Sequence, residues 1–233
     1  MLHKHGELLF QGVTEAVTEH LAEVAQKVAQ TPDDQLLAEL SERWTEHKVT
    51  MVMIRDILMY MDRTFVVQQK RTPVYDLGLQ LFKETITHHP QVHDRLQNHL
   101  LTSIHLERTG ELINRLLMKT TLSMLVDLGI NSTVVYEEDF EMQFLERTSQ
   151  FYKQEAQDYI ANNTCPDYMR KAEQRLNEER LRVTHYLDSS TEPRLKQIAE
   201  TELIEKHALA LTQMEHSGCA SMFHNDKIEG EHR

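Results

Sequence analysis

Apolar residues recur every three or four positions through most of the chain, and its five prolines fall between these runs. This spacing places the apolar side chains on one face of an α-helix. Proline fits the first turn of a helix, so most of the five mark helix starts. No run alternates as in a β-strand, and the sequence therefore predicts an all-α protein. The predicted helices cover 4–30, 33–68, 74–88, 91–108, 111–128, 133–162, 166–188 and 194–215.

Residues at the predicted helix ends support these boundaries. In Thr31-Pro32-Asp33-Asp34, a threonine cap precedes a proline and two carboxylates that face the positive end of the helix dipole. Cys165-Pro166-Asp167 repeats the pairing of proline with an acid. Gly110 and Gly129 stand where two helices should end. The connections are short, which favours antiparallel packing of neighbouring helices.

The charge balance excludes several classes of function. The chain has 25 Lys and Arg residues against 37 Asp and Glu residues, a formal net charge of −12. Such a chain should not bind nucleic acid through a general phosphate-neutralising surface. No apolar run approaches the roughly 18 residues that a membrane-spanning helix needs. Two cysteines suit a reducing compartment, so we expect a soluble intracellular protein.

The 14 histidines of the chain invite a metal-site hypothesis. His88, His89 and His93 cluster around Pro90, but Pro90 should start a helix between the last two, which then need not share a face. Neither a His-Glu-x-x-His pattern nor paired Glu-x-x-His motifs occur, so we expect solvated histidines. The acidic run at 137–139 is typical of a first helical turn. The sequence predicts no catalytic residue, metal site or cofactor, with a metal-dependent helical enzyme as the remaining alternative.

The predicted helix 33–68 is apolar on two faces. Its first stripe consists of Leu37, Leu40, Trp44, Met51, Ile54, Leu58, Met61 and Phe65. Its second stripe consists of Met53, Ile57 and Tyr60. A helix that is apolar on two faces is usually central in a bundle. The same spacing assigns to the core a methionine run formed by Met51, Met53, Met59 and Met61.

Three polar or aromatic residues, Tyr60, Asp62 and Arg63, stand near the end of this helix. Tyrosine and arginine together are the usual composition of an interface hot spot. Alternatively, the Tyr60 ring packs on the core while its hydroxyl extends to water, beside an exposed Asp62–Arg63 pair. The spacing favours neither interpretation. The residues by themselves thus indicate an acidic, all-helical, non-enzymatic scaffold.

Five stretches of the sequence resemble the cullin family, and within it the cullin-3 subfamily. They are Leu2-His-Lys-His-Gly-Glu7, Met51-Val-Met-Ile-Arg-Asp-Ile-Leu-Met-Tyr-Met-Asp-Arg63, Val74-Tyr-Asp-Leu-Gly-Leu79, Val135-Tyr-Glu-Glu-Asp-Phe-Glu141 and Glu202-Leu-Ile-Glu-Lys-His207. Their order and spacing match the family from residue 2 to residue 224. The stretch Met51–Arg63 carries the similarity to cullin-3. Segments 22–35, 68–73 and 87–99 depart from it.

This resemblance implies stacked cullin repeats, each a bundle of five helices, that form an elongated arm. It also implies a non-catalytic scaffold of a RING-type ubiquitin ligase, which binds BTB-domain substrate adaptors in ubiquitin-dependent protein degradation. Residues 1–89 would be the last three helices of repeat one, and 90–216 would be repeat two. A polar, flexible tail would follow at 217–233. The expected location is the cytoplasm and the nucleus.

Carried over by position, the resemblance makes Lys4, Tyr60 and Arg63 adaptor contacts, with Asp62 beside them, and it favours the hot-spot interpretation of Tyr60. The first two helices of repeat one, the RING-binding region and the neddylation site have no match. We therefore expect weakened adaptor binding and an apolar seam through which copies of the chain self-associate. The alternative function is a short cullin-like paralogue that competes for adaptors without supporting ligation.

Overall fold

The computed structural model describes residues 2–214, with side chains from residue 5 onward. The predicted tail at 217–233 lies outside the described residues. Every regular element in the described part of the chain is helical, which confirms the all-α prediction. None of these described helices is both long enough and apolar enough to cross a bilayer.

The helices lie close to the predicted boundaries. The α-helices of the described range are α1 (Leu2–Gln30), α2 (Leu36–Ile57), α3 (Met59–Met61), α4 (Val67–Gln69), α5 (Val74–Phe82), α6 (His93–Arg108), α7 (Arg115–Asp127), α8 (Val134–Tyr136), α9 (Met142–Asn162), α10 (Cys165–His185), α11 (Glu192–Leu203) and α12 (Ala208–Thr212). Short π-helices cover Asp62–Val66, Lys83–Thr87 and Glu137–Glu141, and 3₁₀-helices cover Asp33–Gln35, Ser189–Thr191 and Glu205–His207. As predicted, α6 and α7 end close to Gly110 and Gly129. The predicted helix 33–68 corresponds to a 3₁₀-helix, α2, α3, a π-helix and α4 in succession, and α4 ends at Gln69.

The chain forms two compact units, unit 1 at Met1–Phe140 and unit 2 at Glu141–Arg233. In unit 1, α2 packs against α1, α5 and α7. In unit 2, α11 packs against both α9 and α10. The repeat boundary between residues 89 and 90 stays a prediction.

Three rings form the aromatic centre of unit 1. The rings of Phe82 and Trp44 pack edge to face at a centroid distance of 5.0 Å, and the His47 ring also lies 5.0 Å from Phe82. Burial lowers the pKa of His47, so its neutral ring donates a hydrogen bond from Nε2 to the carbonyl oxygen of Gly78 at 2.9 Å. Helix α5 approaches α2 closely here, because a Cβ on Gly78 would lie 2.5 Å from Met51 Cε.

Unit 2 combines apolar packing with buried hydrogen bonds and charge. Tyr168 donates its hydroxyl to the carbonyl oxygen of Leu203 at 2.6 Å, and burial raises the pKa of Tyr168 to about 12. The carboxylate of Glu179 is buried and accepts hydrogen bonds from the hydroxyl of Tyr152 and from Arg182, the latter at 2.7 Å. The Tyr152 bond joins α9 to α10, and the Tyr168 bond joins α10 to α11, through polar groups that are shielded from water.

The predicted threonine cap at the start of the second long helix is wrong. The hydroxyl of Thr31 instead donates to the carbonyl oxygen of Lys27 at 2.9 Å, a bond that extends the end of α1. The 3₁₀-helix that follows Pro32 has no side-chain cap. Before α10, in contrast, the hydroxyl of Thr164 accepts a hydrogen bond from the Asp167 amide at 3.4 Å. A threonine hydroxyl can serve either helix end, and sequence alone does not say which.

Candidate functional site

An exposed row of large apolar side chains runs along α2 into α3, and we call it the apolar strip. Its members and their exposed fractions are Val49 at 57%, Met53 at 59%, Ile57 at 78% and Tyr60 at 72%. Spacings of four residues place Val49, Met53 and Ile57 on one face of α2, and Tyr60 follows three residues later in α3. An exposed apolar patch of this kind usually marks an interaction site.

The apolar strip corrects the prediction that both faces of this helix are core. The first stripe is confirmed as core, since only Ile54 and Leu58 among its members are half-buried and the others are buried. The second stripe is exposed because α1, α5 and α7 contact α2 from other sides. The methionine run divides in the same way, with Met51 and Met61 buried and Met53 and Met59 exposed.

Tyr60 and Arg63 are both exposed at the end of the apolar strip, where sequence reasoning placed a possible hot spot. The π-helix Asp62–Val66 begins two residues after Tyr60. Single π-helical turns inside α-helices are frequent at functional sites, because the wider turn changes the direction of nearby side chains. The hydroxyl of Thr64 donates to the Tyr60 carbonyl oxygen at 2.7 Å, which helps to fix the backbone beside Tyr60.

Asp62 has a structural partner that sequence reasoning missed. Its Oδ1 accepts a hydrogen bond from the backbone amide of Val74 at 3.0 Å, at the first residue of α5. Pro73, which precedes that helix, supplies no side-chain cap. The half-buried Asp62 carboxylate therefore caps α5 from twelve residues away. Its role as an adaptor contact stays a prediction.

Lys4 lies in α1, but its side chain is outside the described residues, so the predicted contact stays a prediction. The adjoining turn of α1 is joined to the segment after α4. Arg71 forms an ion pair with Glu7 at 2.9 Å, and its guanidinium lies 5.9 Å from the centre of the Phe10 ring. The first turns of α1 are thereby held near the C-terminal end of the π-helix that follows Tyr60.

A second apolar surface lies on the N-terminal half of α1. Leu8 and Leu9 are 65% and 46% exposed, and Phe10, Val13 and Val17 are half-buried against a core cluster of unit 1. That cluster consists of Met51, Met61, Phe65, Val66 and Val74. The sequence led us to expect an apolar seam in this part of the chain, and self-association through it stays a prediction.

The structure brings together two of the three clustered histidines. His88 and His93 both contact the carboxylate of Asp139, at 2.9 Å and 3.4 Å. His89 is not in this group, because its Nδ1 accepts a hydrogen bond from the amide of Gln91. Asp139 lies in the first turn of the π-helix Glu137–Glu141, so the acidic run stands in a first helical turn as predicted, although the helix is not an α-helix. Its separation of 46 residues from His93 left no local pattern by which to find the pair.

Comparison with known proteins gives a consistent result. Residues 1–231 match the family described as the cullin alpha solenoid domain. The chain is 48% identical to "Cullin-3" of Dictyostelium discoideum over 229 residues, 43% identical to "Cullin-3A" of Arabidopsis thaliana over 229 residues and 35% identical to "Cullin-3" of Caenorhabditis elegans over 233 residues. Each alignment covers 98% of this chain, but the chain spans only 30% to 31% of the length of these relatives.

Proposed function

The chain belongs to the cullin family, and on that premise we propose that its apolar strip docks the BTB domain of a substrate adaptor. The family and fold that the sequence stretches indicated are thereby confirmed. In this proposal the chain is a non-catalytic part of the scaffold of a cullin-3-type RING ubiquitin ligase, and the adaptor recruits the substrate. The identity of 48% to a cullin-3 supports the assignment to this type.

The observation that carries the proposal is the exposure of the apolar strip on a helix that is firmly held. The opposite stripe of α2 lies in the core of unit 1, with Trp44 and Met51 each only 1% exposed. A surface held in this way loses little conformational entropy when a partner binds. Apolar side chains on such a surface gain free energy by leaving water, roughly 25 cal/mol for each Å² buried.

Tyr60 and Arg63 have the chemistry that a protein partner would use most. A tyrosine ring buries a large area with few rotatable bonds, and its hydroxyl can still form a hydrogen bond. An arginine guanidinium offers a planar set of donors that recognises a carboxylate or carbonyl oxygens by direction. We propose Tyr60 as the central apolar contact, Arg63 as the polar contact beside it and Lys4 as a contact at the edge.

Asp62 enters the proposal as a residue that positions the others. Its bond to the Val74 amide ties the π-helix to the start of α5, and so holds the turn that carries Tyr60 and Arg63. Replacement by asparagine keeps a side-chain oxygen but removes the charge at a helix N-terminus. We expect Asp62→Asn to lower the stability of unit 1 more than it weakens binding.

The test is titration calorimetry of the chain against a BTB domain that binds cullin-3. Because a hot-spot truncation costs about 2 kcal/mol or more, we expect Tyr60→Ala to raise the Kd by about 30-fold or more. Leu116→Ala is the matched control, since Leu116 is 75% exposed on α7 of the same unit and lies outside the apolar strip. The control should leave the Kd within about twofold, as expected for a surface position away from the contact.

Two results would count against the proposal. Equal weakening by Tyr60→Ala and Leu116→Ala would mean that the effect is not specific to the apolar strip. Absence of binding by the unmodified chain, with circular dichroism showing that it is folded, would mean that these helices do not suffice for adaptor docking. Met53→Ser gives an independent measure, because it changes the apolar strip ten residues before Arg63 without altering either hot-spot candidate.

A further inference from the structure

We propose that His88, His93 and Asp139 form a binding site for a divalent transition-metal ion, for which zinc is the best match. Each residue offers one ligand atom, and all three atoms lie within 4.8 Å of one another. The site is in unit 1, on residues outside the apolar strip. It does not depend on the proposed adaptor function.

Three separate segments converge to build the site. His88 follows the π-helix Lys83–Thr87, His93 is the first residue of α6, and Asp139 lies in the π-helix Glu137–Glu141. Backbone hydrogen bonds fix the short connection between the two histidines. The amides of Val92 and His93 both donate to the carbonyl oxygen of His89, at 2.8 Å and 3.0 Å. The two imidazoles are therefore presented from a closed turn with defined geometry.

The distances between the ligand atoms suit tetrahedral zinc. A zinc ion binds histidine nitrogen and carboxylate oxygen at about 2.0–2.2 Å, so neighbouring ligand atoms in a tetrahedron are about 3.3 Å apart. The Nε2 atoms of His88 and His93 lie 2.9 Å and 3.4 Å from Oδ2 and Oδ1 of Asp139. The two distances run to different oxygens of the carboxylate, and the three ligand atoms all lie within 4.8 Å of one another. Small rotations of side chains that are partly exposed would bring the nitrogens into place around one ion.

Further contacts orient the proposed ligands from outside. The other ring nitrogen of His93, Nδ1, lies 3.2 Å from the Asp94 carboxylate. A carboxylate paired with the second nitrogen of a histidine is the usual support of a metal-binding imidazole, since it fixes the ring and raises its basicity. Gln97, one turn later on α6, donates to the backbone carbonyl oxygen of Asp139 at 2.9 Å. Helix α6 thus holds both an imidazole and the backbone of the carboxylate ligand.

The proposed site is open to water on the side of its histidines. The Asp139 side chain is only 12% exposed, whereas those of His88 and His93 are 41% and 34% exposed. The carboxylate therefore lies at the bottom of the group and the imidazoles nearer to water. Three protein ligands around zinc leave a fourth position, which a water molecule or a group from another molecule can occupy.

The donor set selects the class of metal. Two imidazole nitrogens and one carboxylate oxygen suit zinc, nickel, copper and cobalt, whereas magnesium and calcium prefer oxygen ligands throughout. An ion here would tie together the end of the helical segment after α5, the start of α6 and the π-helix after α8. We therefore infer a structural role, in which the metal stabilises this part of unit 1.

Calorimetry with zinc chloride tests the inference on the full chain after treatment with a chelator and dialysis. We expect one zinc ion bound through this group, and a Kd raised by about tenfold or more in Asp139→Asn and in His88→Gln. His89→Gln is the matched control, because His89 adjoins His88 in the sequence but is bound to Gln91 instead. Its Kd should stay within about twofold, because the substitution removes no ligand and keeps the backbone carbonyl oxygen of His89 that fixes the turn.

Two other readouts separate a metal site from a mere ion pair. Asp94→Asn, at a side chain that is 85% exposed, should fold normally and weaken zinc binding by about tenfold, because Asp94 only positions His93. Cobalt should give the visible absorption of a tetrahedral complex in the unmodified chain and in His89→Gln, but not in His88→Gln. Magnesium should change neither the Kd for zinc nor the melting temperature of the chain.

The inference is overturned if zinc does not bind in a stoichiometric amount, or if Asp139→Asn and His88→Gln leave its Kd unchanged. The group would then be only a carboxylate neutralised by two histidines. If Asp139→Asn fails to fold, His88→Gln decides, since a side chain that is 41% exposed tolerates replacement. Zinc should raise the melting temperature of the unmodified chain and leave that of His88→Gln unchanged.

Discussion

The two compact units bury different kinds of side chain. Unit 1 has its aromatic centre at Trp44, His47 and Phe82, and its core is mainly apolar. Within the described residues, unit 2 buries more charged residues than unit 1, where Arg108 is buried and the Glu107 side chain is 8% exposed. The buried charged residues of unit 2 are Glu141, Arg175, Glu179, Arg182 and Glu202.

This difference indicates what each unit is sensitive to. An apolar core loses stability mainly when a cavity is made, and the cost depends on how far the neighbours can move in. A buried ion pair loses stability mainly when one partner is removed, because the other charge is then left without compensation. In unit 2, Arg175 is a buried charge whose partners compensate it. Burial opposes its charged form, but hydrogen bonds to Glu155 and Glu178 outweigh that effect and raise its pKa.

The largest expected effect is a cavity in unit 1. Phe82→Ala removes a fully buried ring that packs against Trp44, and we expect a loss of about 3–5 kcal/mol in the free energy of unfolding. Urea unfolding followed by fluorescence measures it, since Trp44 is the single tryptophan of the sequence. Leu116→Ala, at an exposed position, should change the free energy by less than about 0.5 kcal/mol. Similar losses in both variants would contradict an apolar core centred on Phe82.

Removing one partner of a buried ion pair in unit 2 should cost slightly less. Glu179→Leu removes the carboxylate that accepts a hydrogen bond from the buried guanidinium of Arg182, and we expect a loss of about 3 kcal/mol, measured by urea unfolding and circular dichroism. The double variant Glu179→Leu with Arg182→Met should recover most of that loss, because neither charge of this pair then remains buried. If the double variant is less stable than the single one, the packing of these two side chains contributes more to the free energy of unfolding than the pairing of their charges.

The comparison also shows what the sequence could and could not predict. The stripe from Leu37 to Phe65 repeats over the whole of the predicted helix, and it was correctly assigned to the core because a long apolar row needs cover along its length. The row from Met53 to Tyr60 was assigned wrongly, since its burial depends on which helices reach that side. Periodicity fixes the face of a helix that a residue occupies, but it does not determine what covers that face.

Contacts between distant segments could not be predicted from the sequence either. The bond from Val74 to Asp62 and the group of His88, His93 and Asp139 join residues that are far apart in the sequence. Neither has a local signature, because each depends on how complete helices are placed within unit 1. The histidines could be seen as a cluster, but their carboxylate partner could be found only from the fold.

A smaller effect concerns pH and lies in unit 1. Burial lowers the pKa of His47, a hydrogen bond to the Gly78 carbonyl oxygen partly opposes this, and the nearby His20 adds to it. The unfolded chain therefore binds a proton at His47 more readily than the folded chain does. Protonation of His47 does not reduce the free energy of unfolding above the unfolded pKa of about 6.5, and reduces it progressively as the pH falls below that value. Urea midpoints of Trp44 fluorescence between pH 8 and pH 5 measure this, with His47→Gln as the comparison. The slope from His47 should be absent in that variant, and an unchanged slope would assign it to other groups.

The smallest expected effect on stability is at the apolar strip, and it separates binding from folding. Tyr60 is 72% exposed, so Tyr60→Ala should change the free energy of unfolding by less than about 0.5 kcal/mol. The same replacement should greatly weaken adaptor binding, because the ring would lose the contact that removes it from water. Urea unfolding and calorimetry on one preparation test both statements together. A loss of stability comparable with that of Phe82→Ala would mean that Tyr60 belongs to the core of unit 1, and any weakening of binding would then reflect damage to the fold.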